Sequence, residues 1–178
     1  MSTPRIPPGG FWQLGPFNWA FSQAAARVIG VDDARIFSTL GRSKGLFRGW
    51  LYFSSRMMPF GKLSRKDTEM IIIRVAHLRG CDYELDHHRR LGARAGITEA
   101  EFADILEGAD AGWGDRERSM LRAVDQLVGT HDIDDAAWSA LVRHLDESRL
   151  IAFTLLVGQY DSLATTIGTL RIQRDTRR

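Results

Sequence analysis

The sequence predicts an all-α fold, a bundle of helices, and three observations lead to that prediction. Apolar residues recur at intervals of three and four residues through most of the chain. Residue types that begin helices, and others that end them, bound these periodic segments. No stretch shows the alternation of apolar and polar residues that is typical of a half-buried strand.

Composition is ordinary for a soluble globular protein, since 44% of the 178 residues are hydrophobic and 26% are charged. The longest apolar runs, residues 70–73 and 155–157, fall far short of the roughly 18 apolar residues that a membrane helix requires. We therefore predict that the protein has no membrane partner.

Charge and cysteine content bear on partners and compartment. The net charge is only +2, and part of the basic excess lies in a C-terminal tail that is typical of a solvated chain end, so we predict no nucleic-acid partner. The tail carries Arg171, Arg174, Arg177 and Arg178. Cys81 is the only cysteine and the N-terminal residues lack the apolar core of a signal peptide, which predicts a cytoplasmic protein.

The chain divides into two predicted regions. Residues 1–60 are predicted to form an aromatic-rich helical extension, with helices near residues 19–29, 32–40 and 46–58. Their apolar side chains require a covering surface, which we expect to be the bundle or a neighbouring subunit. Residues 61–178 are predicted to form the main helical domain.

Capping residues define the first helices of that domain. Ser64 is predicted to cap a helix whose apolar positions follow a helical period. The next helix is predicted to start at or near Cys81 and to stop at Gly96, a natural left-handed cap. Thr98 and Glu101 have the spacing of a capping box, which predicts a third helix start.

Three further helices are predicted beyond residue 112. Asp115 is predicted to cap the first of these, and Gly129 to end it. Asp134 opens the second, which carries an apolar face as far as Leu145. Ser148 opens the last, which runs to about residue 170.

The sequence around Cys81 places three proton-active groups on one helix face. Residues three and four apart are neighbours on a helix, so Glu84 lies within reach of both Cys81 and His88. The spacing is also that of an ordinary surface pair of Glu84 with His88, which would carry no chemistry.

Residues 63–105 resemble the carboxymuconolactone decarboxylase superfamily, which also contains the alkylhydroperoxidase-D-like proteins. Its peroxidase branch has a glutamate, eleven residues, Cys-x-x-Cys and a histidine four positions further on. Here Glu69 precedes Cys81 by that interval, and His88 stands at the histidine position. Glu84 occupies the place of the second cysteine, so an intramolecular disulfide cannot form.

The resemblance implies two chemistries, and loss of function is a third interpretation. The first is decarboxylation or proton transfer on a small carboxylated lactone or aromatic breakdown product, without a cofactor. His88 would then be the proton donor or base, Glu84 its partner, Glu69 a relay group and Cys81 a neutral wall or weak donor. The second is a hydroperoxide reductase that uses Cys81 with an external thiol. The third is a non-catalytic helical binding protein.

Cofactor and metal sites are not predicted. The single Glu-x-x-His, Glu84 to His87, falls short of the two that a di-iron bundle requires, and zinc and nucleotide motifs are absent from the sequence. A small-molecule substrate is predicted instead. An arginine suits a carboxylate substrate, and Arg74, Arg79 and Arg89 are the candidates. The resemblance further implies a homo-oligomer, a trimer or hexamer with sites near subunit interfaces.

Overall fold

The structure is a computed structural model that describes residues 3–177. The chain forms two compact units. One contains the described residues up to Ser55 together with those from Thr166 onward, and the other contains residues 56–165. The predicted boundary at residue 60 and the packing of the extension stay predictions, and Met1, Ser2 and Arg178 lie outside the described residues.

The described residues form ten α-helices, with a short 3-10 turn at Gly41–Ser43 between the third and fourth. In chain order the helices are α1 Phe11–Leu14, α2 Pro16–Ile29, α3 Arg35–Leu40, α4 Gly45–Met57, α5 Arg65–Leu78, α6 Asp82–Arg94, α7 Glu99–Glu107, α8 Asp115–Thr130, α9 Asp135–Leu141 and α10 Glu147–Leu170. Between residues 3 and 177 there is no strand, only one isolated antiparallel bridge. The predicted all-α fold is confirmed.

Three helix starts that have a polar cap were predicted correctly. The Ser64 side chain accepts the Asp67 N–H at the start of α5, and Thr98 with Glu101 forms a reciprocal capping box on α7. Asp134 accepts the Ala137 N–H at the start of α9. Each cap satisfies a backbone donor that the first helical turn leaves free.

Four predicted helix boundaries, two starts and two ends, were wrong. Gly129 does not end α8, which continues until His131 adopts a left-handed φ of 63°, and its N-cap is Gly114 rather than Asp115. The α9 helix stops at Leu141, short of Leu145. The last helix begins before Ser148 because the carboxylate of Asp146 accepts the Arg149 N–H and caps it.

The unit of residues 56–165 has its core around α5. The α5 residues 70–73 are all buried, because this helix is surrounded by its neighbours rather than packed on one side. The core also contains Leu121 and Val124 of α8 and Phe153 of α10. Burial of such side chains contributes about 1.5–3 kcal/mol each.

The other unit joins the two ends of the chain. Arg5 donates its backbone N–H to the Leu170 carbonyl, and the Arg35 backbone N–H bonds Asp175. A cluster of aromatic rings fills it, formed by Phe21, Phe37, Phe47 and Trp50.

One described helix, α10, is long and apolar enough to cross a membrane by length and composition, and 39% of its apolar window is buried within the protein. A core helix of a soluble protein meets the same criteria, so this is weak evidence for a membrane span. The predicted cytoplasmic location stays a prediction.

Candidate active site

The α5 helix supplies a buried carboxylate. Glu69 lies one turn and a half into the helix that Ser64 begins, and its side chain is 0% exposed. Arg65, one turn earlier, places its guanidinium 2.7 Å from Oε1 of Glu69. The N–H is not aimed at the oxygen, so this contact is an ion pair rather than a hydrogen bond.

A tight turn leads from α5 into α6 and positions the second half of the site. Gly80 has a φ of +58°, a left-handed conformation that glycine adopts without strain. Cys81 then donates its backbone N–H to the Ala76 carbonyl at 2.8 Å and stands as the N-cap of α6. The residues Cys81, Glu84 and His88 are 8%, 2% and 6% exposed, so the helix buries the stripe that their spacing predicted.

Packing of α5 against α6 brings His88 to Glu69. The Nδ1 atom of His88 lies 2.7 Å from Oε2 of Glu69. Glu69, rather than Glu84 as the helical spacing suggested, is therefore the partner of the histidine. The three residues form a chain in which Arg65 contacts Glu69 and Glu69 contacts His88.

This chain fixes the tautomer of the imidazole. A carboxylate paired with a guanidinium can only accept hydrogen bonds, so Nδ1 of His88 must carry the proton. The other nitrogen, Nε2, then has a free lone pair when the ring is neutral. His88 can accept a proton at Nε2 and return it there, with Glu69 stabilising the charged ring.

Glu84 is a buried carboxyl group without a hydrogen-bond partner among the described residues at either oxygen. Burial raises its pKa to about 8, a rise that Asp161 reinforces and that interaction with the Cys81 thiol partly opposes. At neutral pH Glu84 is therefore mostly a neutral carboxylic acid. A neutral acid can donate a hydrogen bond, which a carboxylate cannot do.

Cys81 is a neutral thiol in this site. Burial, and then the nearby Glu84 carboxyl group, raise its pKa to about 12. The sequence left the direction of this shift open, because a helix N-terminus and a histidine would both favour the thiolate. The structure shows that loss of solvent and the acidic neighbour outweigh them.

Helix α10 contributes two residues that the sequence did not single out as functional. The Tyr160 ring meets the His88 ring edge-on, with centroids 5.2 Å apart. Burial raises the pKa of the Tyr160 hydroxyl, and Glu84 and Glu69 raise it further, which places this hydroxyl near both carboxyl groups. Asp161 lies 3.2 Å from Nε of Arg79.

Three further residues, Tyr83, Arg74 and Arg89, contact partners outside the cluster of Arg65, Glu69 and His88. Tyr83 is buried and stacks on His87, with ring centroids 4.8 Å apart. Arg74 bonds Asp125 and the carbonyls that end α7. Arg89 pairs with Glu99 on the surface. These contacts leave Arg65, which the sequence analysis did not consider, as the arginine bound to the cluster.

A cavity in the 56–165 unit lies apart from this cluster. It encloses about 510 Å³ between the start of α5 and the loop before α8, and none of the four predicted site residues lines it. Its cations Lys66 and Arg116 are paired with Glu101 and Asp67. In the part of the chain that the structure describes, no group of three or more metal-binding side chains converges. The prediction that the protein uses no metal stays a prediction.

The described residues thus combine an all-α fold with a buried Glu69–His88 pair and a buried thiol, Cys81. A family model described as carboxymuconolactone decarboxylase family matches residues 45–126. The match spans a little under half of the 178 residues, and that part of the chain is similar to the carboxymuconolactone decarboxylase family. No curated protein matches the chain by sequence.

Solved structures share this fold over nearly the whole chain. An uncharacterized peroxidase-related protein from Ralstonia eutropha JMP134, an alkylhydroperoxidase AhpD core, is 17% identical with a TM-score of 0.83, covering 98% of this chain and 93% of that one. A peroxidase-related protein from Silicibacter sp. TM1040 is 14% identical with a TM-score of 0.80, covering 97% and 94%. A cysteine-to-alanine variant of the debrominase Bmp8, in complex with 2,3,4-tribromopyrrole, is 14% identical with a TM-score of 0.79, covering 97% and 92%.

Proposed function

We propose that this protein is a cofactor-free enzyme that transfers protons on a small carboxylated lactone or an aromatic breakdown product, by decarboxylation or a related reaction. The proposal rests on one observation. His88 contacts the buried Glu69, and Glu69 forms an ion pair with Arg65. This contact leaves the Nε2 lone pair of His88 free to act as a base in a buried site. Nε2 of His88 takes the proton of the substrate's carboxylic acid group. Removal of carbon dioxide then leaves charge on the substrate, and His88 delivers that proton to carbon.

The surroundings of Cys81 argue against the peroxidase alternative. Peroxide reduction requires a thiolate, and a thiol with a pKa of about 12 supplies very little of it near pH 7. Glu84 cannot resolve a sulfenic acid, so an external thiol would be needed as well. The same argument weakens any mechanism that begins with attack by the Cys81 sulfur.

Two assays with matched variants test the proposal. The purified protein and its Cys81→Ser and His88→Gln variants are given lactone acids, with carbon dioxide release as the readout, and an organic hydroperoxide with a thiol reductant. We expect the first activity to survive Cys81→Ser and to fall about 10²–10⁴-fold in His88→Gln. Hydroperoxide turnover that Cys81→Ser abolishes would instead establish the peroxidase function.

A brominated pyrrole belongs in the same screen, because the fold neighbour Bmp8 is a debrominase. Bromide release that depends on Cys81 would replace the proton-transfer proposal. A screen in which neither variant loses any activity would favour the non-catalytic binding protein.

We also propose that the chain forms a homo-oligomer. Large apolar side chains are exposed on several helices, among them Trp12 at 91%, Leu46 at 76% and Tyr52 at 72%. Burial of such side chains against a second copy would remove them from water. A monomeric mass by light scattering at micromolar concentration would contradict this proposal.

A further inference from the structure

The two oxygens of Glu84 are the least satisfied polar atoms of the candidate site. The residue is 2% exposed, and neither oxygen meets the geometry of a hydrogen bond with a described residue, although the Cys81 thiol lies close enough to influence the carboxyl group. Burying a polar group without a partner is unfavourable, and a leucine at this position would avoid that cost. Both oxygens therefore have unused hydrogen-bonding capacity.

The groups around Glu84 favour its neutral form. Cys81 faces it from the start of α6 as an uncharged thiol, and Asp161 faces it from α10. Tyr160 of α10 is an uncharged hydroxyl. Two cations of this site are paired with other carboxylates, since Arg79 pairs with Asp161 and Arg65 pairs with Glu69. No described cation neutralises a Glu84 carboxylate, so the group holds its proton.

Glu84 and His88 are placed for action on the same molecule. They lie one turn apart on one face of α6, and both are buried. His88 offers a lone pair at Nε2, because Glu69 holds the proton at Nδ1. Glu84 offers an O–H. One base and one neutral donor on the same face match a carbon acid, which loses its proton or carboxylate at carbon while charge develops at oxygen.

We propose that Glu84 is a hydrogen-bond donor to the oxygen of a substrate carbonyl, so that the site acts on compounds that react through an enolate. This rests on the proposed function, which assigns the proton at carbon to His88. In decarboxylation, the bond to the carboxylate breaks, carbon dioxide leaves, and the electron pair moves onto the carbonyl oxygen. Glu84 donates its O–H as a hydrogen bond to that oxygen. Nε2 of His88 first takes the proton of the substrate's carboxylic acid group and then delivers that same proton to carbon, so the imidazole ends neutral, as it began. No electrons are gained or lost.

An enolate mimic tests the donor without turnover. The probe is 4-nitrophenol, whose phenol and phenolate forms differ in absorption, titrated at pH 7 into the wild type, Glu84→Gln and Glu84→Leu. We expect the phenolate to bind to the wild type and, within about tenfold, to Glu84→Gln, because the amide N–H also donates. Glu84→Leu should bind at least ten times more weakly. No binding to the wild type, or equal binding to all three, would overturn the proposal.

Infrared spectra test the protonation state directly. The difference between the wild type and Glu84→Gln at pH 7 should contain the C=O stretch of a protonated carboxylic acid, and a carboxylate band in its place would overturn the proposal. The His88→Gln variant should keep both the acid band and phenolate binding while it loses turnover. If it keeps turnover, the proposed function fails, and the result for Glu84 stands by itself.

Discussion

Nδ1 of His88 lies 2.7 Å from Oε2 of Glu69, although the two residues are 19 positions apart and belong to different helices. The contact is fully shielded, since Glu69 is 0% exposed. Hydrogen bonds that involve charge in such surroundings are stronger than those at the surface. This pair sets which nitrogen of His88 is free, and the proposed chemistry depends on it.

Replacing the Glu69 carboxylate, which accepts the Nδ1 proton of His88, should allow both neutral tautomers of the imidazole. In Glu69→Gln the amide can present either an N–H or an oxygen to His88, so Nδ1 is no longer bound to keep its proton. We expect imidazole nitrogen NMR to show one neutral tautomer in the wild type and a mixture in the variant. Proton transfer should fall about 10²–10⁴-fold.

The matched control for this experiment is Glu99→Gln. Glu99 also pairs with an arginine, Arg89, but its side chain is 72% exposed. Its spectrum should match that of the wild type. A Glu69→Gln protein with an unchanged His88 tautomer would contradict the orientation that we assign.

Alkylation of Cys81 should be slow until the protein unfolds. With its pKa raised to about 12, roughly one thiol in 10⁴ is ionised at pH 8. We expect iodoacetamide to modify the folded protein far more slowly than the urea-unfolded chain, with a rate that rises about tenfold per pH unit. A rate that levels off near neutral pH would reveal a thiolate and restore the peroxidase interpretation.

Local signals in the sequence were enough to predict much of this structure. The caps at Ser64, Thr98 and Asp134 depend on side chains that bond their own backbone a few residues away, so they are legible without the fold. The buried stripe of Cys81 and His88 follows from the period of a single helix. The end of α8 and the start of α10 were harder to predict, because a helix continues through glycine where packing supports it, and because Asp146 rather than Ser148 caps α10.

Contacts between helices could not be predicted from the sequence. Glu69 and His88 meet because α5 packs on α6, and no spacing along the chain encodes the angle of that packing. Arg65 was overlooked because an i, i+4 pair with Glu69 is typical of a solvated helix face. Tyr160 comes from α10, where its apolar neighbours favour a core role.

The stability of the protein should depend on the proton of Glu84. Its pKa is about 8 in the folded protein against 4.5 for the ordinary group, so the folded state binds more protons between these values. The free energy of unfolding therefore falls as pH rises from about 5 to 8, by a little over 1 kcal/mol per pH unit at most. The contribution is complete below pH 4.5 and is lost as pH rises through 8.

Urea unfolding of the wild type and Glu84→Gln at four pH values across this window measures the effect. The glutamine cannot titrate, so the variant should gain stability relative to the wild type as pH increases. Glu99→Gln again serves as the exposed control, and its curve should run parallel to that of the wild type. Parallel curves for all three proteins would show that Glu84 is ionised throughout.

The contact of α5 with α6 should be sensitive to a single methyl group at Gly92. A Cβ added there would lie 3.0 Å from Cδ1 of Ile73 and 3.1 Å from Cδ1 of Ile97, and both side chains are buried and cannot easily move. Overpacking of a core costs about 1–3 kcal/mol, and the helix propensity of alanine offsets up to about 1 kcal/mol of it. We expect Gly92→Ala to lower the free energy of unfolding and to loosen the contact of His88 with Glu69, which imidazole NMR would detect.

Gly129→Ala is the matched control, because Gly129 lies in α8 with open space around it, and alanine there should stabilise the protein by about 0.5–1 kcal/mol. If both variants were stabilised equally, close packing at Gly92 could not be what sets the distance between the two helices.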